Sequence, residues 1–194
     1  MPRIHTQNLS THRDWRRTQL IQAAASIALE SGGNAVTVAA VAQRAGLSRT
    51  SVYEYFGSSA ELAADLVIEE ITGFAEVLRE SVAECTEPMD CIQAWIKAAL
   101  TYIADGRHLL AKALNATSLP SNRAQLLGQA HRGLLAPLRQ RLEEAGIKDI
   151  DQALTFIESI TDAASKRIEQ GRDAESEIHS TTDFCISGLR SLIR

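Results

Sequence analysis

An all-α fold is predicted by three observations. Apolar residues recur at spacings of three and four along nearly the whole chain. No stretch alternates in the way a strand bounded by turn residues would. The periodic runs are also punctuated at Gly32-Gly33, Gly46, Pro88, Asp105-Gly106, Gly146 and Gly171, where a helix stops most easily. At 194 residues and 45% hydrophobic content the chain can bury a real core in one or two domains. The reading is an N-terminal three-helix unit of helix-turn-helix type over residues 1–58, followed by a helical domain over 59–194, about nine helices in all.

The elements follow in order. The first helix is placed at Asp14–Ser31, with Asp14 as N-cap and Leu20, Ala24, Ile27 and Ala28 on one face. Gly32-Gly33-Asn34 stops it. Thr37 caps a short helix, VAAVAQRA, whose Val38, Val41 and Ala42 face inward, and Gly46 ends it. Leu47 is read as a buried staple, and Ser48 caps a third helix, RTSVYEY. Ser58 or Ser59 caps a long helix from about Ala60 to Ala83, with Leu62, Leu66, Phe74, Val77 or Leu78, and Val82 along its inner face. Further helices are expected near 89–104, 107–116, 122–145, 149–170 and 174–193, with Pro137 kinking one of them.

Two short helices joined by a glycine turn are too short to stand alone, so the first helix must supply the surface they pack on. In such a motif the second helix enters the major groove of DNA and its first residues reach base edges. Those residues are Ser48, Arg49, Thr50 and Ser51. Arg49 suits a bidentate contact to guanine, and Thr50 offers a hydroxyl and a methyl to thymine. Thr37 and the free amides beside it suit a backbone phosphate. The charge distribution agrees: the net charge is −4, yet residues 1–58 hold six arginines against three acids, leaving +3, and the remainder holds 14 basic and 21 acidic residues, leaving −7. Arg3, His5, His12 and Arg13 read as a basic arm, disordered without DNA.

The run RTQLIQAAASIALESGGNAVTVAAVAQRAGLSRTSVYEYFGSSAEL resembles the DNA-binding segment of the TetR family of transcriptional regulators. The resemblance rests on Ala23-Ala24, Gly32, Thr37-Val38, Val41-Ala42, Ala45-Gly46-Leu47-Ser48, Val52-Tyr53 and Tyr55-Phe56, all in family order over about a quarter of the chain. It implies a phosphate contact for Tyr53, a polar aromatic role for Tyr55 and core closure by Phe56. The chain departs from the family at Ala28 and Gly33, where aromatics are common, and at Ala60, where a lysine is common. The first departure lets the first helix pack more closely or lean on Trp15. The second implies that backbone affinity either falls or passes to Arg16 and Arg17.

The resemblance also implies a body that binds a small molecule among its middle helices and dimerises through its last two. Phe74, Trp95, Tyr102, His108, Asn115 and Phe156 are the pocket candidates, being polar or aromatic residues within apolar helices. The dimerisation candidates are Ile157, Ile160, Ala164, Ile168, Ile178, Cys185, Gly188 and Leu192, which leave more apolar and small surface than one small core needs. Gly188 invites a close helix crossing. The expected partners are therefore an operator duplex, a small effector at least partly apolar, and a second copy of the chain.

Other classes lose ground. No nucleophile-base pair, Gly-rich phosphate loop or metal-spaced His/Cys set occurs, and His5, His12, His108, His131 and His179 are scattered, so neither an enzyme nor a cofactor or metal is expected. No apolar run of membrane length and no secretory leader is apparent, which predicts a cytoplasmic protein with no membrane partner. Cys85, Cys91 and Cys185 read as free thiols within helices, with a redox role open for the two that flank Pro88. The competing reading of the whole chain is a helical interaction module that has lost DNA binding.

Overall fold

The computed structural model describes residues 6–109, 113 and 121–193. Eight α-helices and no strand occur among them: α1 (Thr6–Ser31), α2 (Val38–Ala45), α3 (Arg49–Tyr53), α4 (Ser59–Ser81), α5 (Pro88–Ala104), α6 (Ser121–Glu144), α7 (Ile150–Glu169) and α8 (Ala174–Arg190). A single 3₁₀ turn, Gly33–Ala35, joins α1 to α2. The chain divides into two compact units, Met1–Glu70 with Leu109–Leu127, and Ile71–His108 with Gly128–Arg194.

In the first unit α1 packs on α2 and α2 on α3. The expected stripe of α1 is buried in full, Leu20, Ala24, Ile27 and Ala28, and meets Val38, Val41 and Ala42 of α2 and Val52 and Phe56 from α3 and its end. The short helices are held by their caps. Thr37 Oγ1 accepts from the Ala40 amide at 3.1 Å, and Ser48 Oγ accepts from the Ser51 amide at 3.1 Å. Such caps are worth about 1 kcal/mol each. Gly46, at φ 67°, turns the chain out of α2, and its N–H and that of Leu47 close on the last carbonyls of the helix. Arg44 of α2 reaches back to α1, bonding Glu30 through both terminal nitrogens at 2.9 and 2.7 Å and Ser26 at 2.6 Å.

Several boundaries differ from the sequence expectation. α1 begins at Thr6, so Asp14 lies inside the helix instead of capping it, and His12 and Arg13 belong to the helix and not to an arm; Arg3 and His5 lie outside the described residues. Trp15 is half exposed, and the small Ala28 and Gly33 are both buried. Leu47 is only half-buried, and α3 is two residues shorter than RTSVYEY. Ser58, through a 3.1 Å bond to the Glu61 amide, is the residue that caps α4. The helix expected at 107–116 falls largely outside the described residues.

In the second unit α5 packs on both α7 and α8, which also pack on each other. Its core holds Leu78, Ile92, Trp95, Ile96, Leu100, Leu138, Leu142, Leu154, Ile157 and Leu189. Asp149 and Asp173 cap α7 and α8, each accepting a backbone amide at 2.9 Å. No helix among the described residues is long and apolar enough to cross a membrane.

Gly46→Ala is expected to destabilise the chain by about 1–2 kcal/mol, because an L-residue pays that to enter the left-handed region, although a Cβ there meets nothing within 4 Å; a thermal melt followed by circular dichroism measures it. The hydrogen bonds from Arg44, then that from Ser26, bring the Glu30 carboxyl from 4.5 down to about 2. A carboxylate lowered on folding contributes stability that is complete above its unfolded pKa and is lost as pH falls through the folded one. NMR titration of Glu30 should therefore give a midpoint near 2, returning to the ordinary carboxylate range in Arg44→Ala.

Candidate nucleic-acid interface

The four residues that begin α3 divide into two pairs. Ser48 and Ser51 are occupied with each other, the Ser48 hydroxyl taking the Ser51 amide at 3.1 Å while the two Oγ atoms share a hydrogen bond at 2.9 Å. Arg49 and Thr50 stand exposed between them. Val52, next on the inward face, is fully buried. A rigid cap therefore holds two outward side chains, one a planar cation with five N–H donors and the other a hydroxyl with a methyl. This is the chemistry that base edges in a major groove can pair with.

The aromatics after them part as their spacing demands. Tyr53 is 56% exposed, whereas Tyr55 is half-buried with the Arg13 guanidinium 5.9 Å from its ring centroid. Phe56 closes the core, with Arg17 5.7 Å above its ring.

The α2 N-terminus is less open than the sequence suggests. Thr37 Oγ1 is committed to Ala40, and the Val38 amide donates to Ser59 Oγ at 3.0 Å. The second bond fixes the start of α4 to the start of α2. A phosphate approaching here would meet the exposed Thr37 side chain and the positive end of the helix, with those two amides already satisfied.

Arg17, expected on the phosphate backbone, is paired within this unit. Asp65 of α4 is 11% exposed and lies between two arginines. Arg17 Nη2 donates to Oδ2 at 3.2 Å. Arg123, in the first turn of α6, donates from Nη2 to the same oxygen at 3.3 Å. Its Nε lies 2.9 Å from Oδ1 without aiming its N–H there, so that approach is ionic. Arg16 is half-buried, with its Nε lacking a hydrogen-bond partner among the described residues. Arg44 is paired to Glu30, whereas Arg49 stands outward at the start of α3. No sequence signal reveals these pairings: Arg17 and Asp65 are 48 positions apart, Arg123 and Asp65 58.

The pocket candidates do not converge on one place. Phe74 and Tyr102 stack at 4.2 Å between centroids, with the Arg107 guanidinium 4.3 Å from the Tyr102 ring. His108 Nε2 lies 2.7 Å from a Glu169 carboxylate oxygen. Trp95 is buried with its indole N–H lacking a partner among the described residues, as does His108 Nδ1. Asn115 lies outside the described residues. Phe156 is not in this group: it is half exposed on α7 and lines a groove of about 300 Å³ with Ile157, Ile160, Phe184, Cys185, Gly188 and Leu192. Among the described residues no three His, Cys, Asp or Glu side chains meet as a metal site would require.

The dimerisation candidates split between that groove and the protomer's own interior. Ile157, Ala164 and Cys185 are core residues, so their apolar character is already used. Ile160, Ile178 and Leu192 pack partly against the core, Ile168 is half-buried, and Gly188 is exposed. Phe184, which the sequence reading passed over, is 67% exposed, the most open large apolar side chain among the described residues.

Comparison with known proteins gives one consistent answer. Residues 20–66 match the family model for bacterial regulatory proteins of the tetR family. The HTH-type transcriptional activator FasR of Mycolicibacterium smegmatis is 28% identical over 91 residues, which are 47% of this chain and 42% of FasR, so the match spans less than half of that relative. Among solved structures, the transcriptional regulator FadR of Bacillus subtilis in complex with stearoyl-CoA is similar at a TM-score of 0.73 and 21% identity, over 88% of this chain and 98% of FadR. A transcriptional regulator of Pseudomonas aeruginosa PAO1 reaches 0.76 at 16% identity over 92% of each chain. The solved structures share the all-α fold, and residues 20–66, the segment similar to bacterial regulatory proteins of the tetR family, contain the capped α2–turn–α3 unit described above.

Proposed function

We propose that this chain is a cytoplasmic, DNA-binding transcriptional regulator that represses by occupying a palindromic operator as a homodimer. The observation that carries the reading is the recognition end of α3, where a closed Ser48–Ser51 cap presents Arg49 and Thr50 while Tyr53 stands exposed for a phosphate. Arg49 reads guanine, Thr50 lies against an adjacent base, and Thr37 and Tyr53 set the register on the backbone. Arg17 acts by holding α1 to α4 through Asp65.

The α7–α8 groove is the proposed dimer face. Exposed Phe156 and Phe184 flank it, and Gly188 offers no side chain to keep a second copy away. A twofold axis there pairs two heads, and heads about one helical turn apart fit successive major grooves. The effector site is placed in the second unit, around the Phe74–Tyr102 stack and His108. Its ligand is small and partly apolar, and the stearoyl-CoA held by the Bacillus subtilis FadR is the chemistry to try first. α4 and α6 each contribute residues to both units, so a ligand that favours one arrangement of them changes operator affinity through its differential affinity for the two states.

Arg49→Ala should lower specific operator affinity by about 1–3 kcal/mol, the worth of one bidentate base contact, and relax preference at one base pair. Binding titrations across a series of salt concentrations and operator variants measure this; failure of the parent protein to bind any duplex at low salt favours the interaction module instead. Phe184→Glu should weaken dimerisation by about 2 kcal/mol or more, as loss of an interface anchor does, with an unchanged melt. Sedimentation velocity across a dilution series reads the shift to monomer.

A further inference from the structure

The exposed end of α3 carries a negative charge as well as a positive one. Helical periodicity runs past Tyr53: Glu54 has φ −67° and ψ −21°, its N–H bonds the Thr50 carbonyl at 3.3 Å, and the Phe56 N–H bonds the Val52 carbonyl at 3.0 Å. Residues one turn apart therefore form four rows. Val52 and Phe56 are buried, Ser51 and Tyr55 are half-buried, and Arg49 with Tyr53 and Thr50 with Glu54 are exposed. At 3.6 residues per turn, the Thr50–Glu54 row stands about 160° round the helix from the buried one. Glu54 thus lies on the side of α3 turned furthest from the core, one turn beyond Thr50. Glu30, another acid of the basic head, is taken up by Arg44. Glu54 makes no hydrogen bond or ion pair among the described residues.

We propose that Glu54 is a specificity-determining residue that reads the amino group of a cytosine in the major groove, an inference that rests on the reading of α3 as the recognition helix. An ionised carboxylate only accepts hydrogen bonds. Phosphate oxygens repel it, and so do the O6 and N7 edge of guanine and the O4 of thymine. Adenine offers an amino group, but beside the acceptor N7. Cytosine offers its N4 amino group with no acceptor on its own major-groove edge, so it is the base that suits Glu54. Four residues advance a helix by about 6 Å, and base pairs are about 3.4 Å apart. The cytosine is therefore one or two base pairs from the base that Thr50 meets. On any other sequence the same carboxylate is stripped of water without gaining a donor, which costs affinity. Glu54 thereby restrains the sequence-independent attraction that the +3 charge of residues 1–58 exerts on any duplex.

The test selects bound duplexes from a random pool with the full chain and with its Glu54→Ala and Glu54→Gln variants, and sequences them. The parent should yield a motif with a C·G pair in each half-site. Glu54→Ala should discriminate at that pair about 10-fold less while the other positions keep their preferences. Glu54→Gln should move the same position toward A·T, because a glutamine amide pairs with adenine N6 and N7. At low salt Glu54→Ala should also bind an unrelated duplex several-fold more tightly than the parent does. Thermal melts of both variants should match the parent, since the Glu54 side chain holds nothing in place. One motif common to all three proteins, or equal weakening at every position in Glu54→Ala, would overturn the proposal. A parent chain that selects no motif at all overturns the reading of α3 itself, and this inference with it.

Discussion

The geometry of the first unit depends on one carboxylate. Asp65 is almost withdrawn from water, and a charge so placed is tolerable only where opposite charge and hydrogen bonds compensate it. Arg17 and Arg123 supply both, from α1 and from the first turn of α6. Three helices distant in sequence are thereby fastened at one point. Beside it, Phe56 lies beneath the same Arg17 guanidinium, so the end of the α3 segment is anchored to the arrangement that holds α4. Removing either arginine leaves Asp65 with one partner; removing Asp65 leaves two cations facing each other.

Around that point the small helices are fixed by local bonds. Ser59 takes the Val38 amide and binds the start of α4 to α2, Thr37 and Ser48 close the first turns of α2 and α3, and Gly46 sets the angle between them. None of these helices is long enough to persist alone. Their rigidity is borrowed from α1 and α4, and the outcome is a short helix whose outer residues are presented in fixed orientation. Side chains that must pair with base edges gain from this, because little conformational freedom remains to be lost on binding.

What was legible in the sequence was local. The α2–Gly46–α3 unit, its two caps and its inward Val38, Val41, Ala42 and Val52 follow from spacing and residue type within a few positions. The first turns of α1 were not legible, because TQNLSTHRDWRR holds only Leu9 and Trp15 as large apolar residues, too few and too far apart to mark a helical stripe. Asp14 looked like a cap only because it precedes the first periodic residues. Arg17 looked like a phosphate contact because charge alone does not show that an aspartate 48 positions later meets it. In α7 and α8 the sequence indicates an apolar surplus without dividing it. Ile157 and Cys185 turn inward while the adjacent Phe156 and Phe184 turn outward, a difference of one helical position that composition does not resolve.

The central claim is that the exposed end of α3 reads duplex DNA in a symmetric pair. Selection of genomic fragments by the purified chain, followed by sequencing, tests it most directly. The account predicts enrichment of a few fragments sharing an inverted repeat whose half-sites are centred about one helical turn apart, with that enrichment lost in Arg49→Ala. Uniform recovery of all fragments, or enrichment that survives Arg49→Ala unchanged, would contradict it.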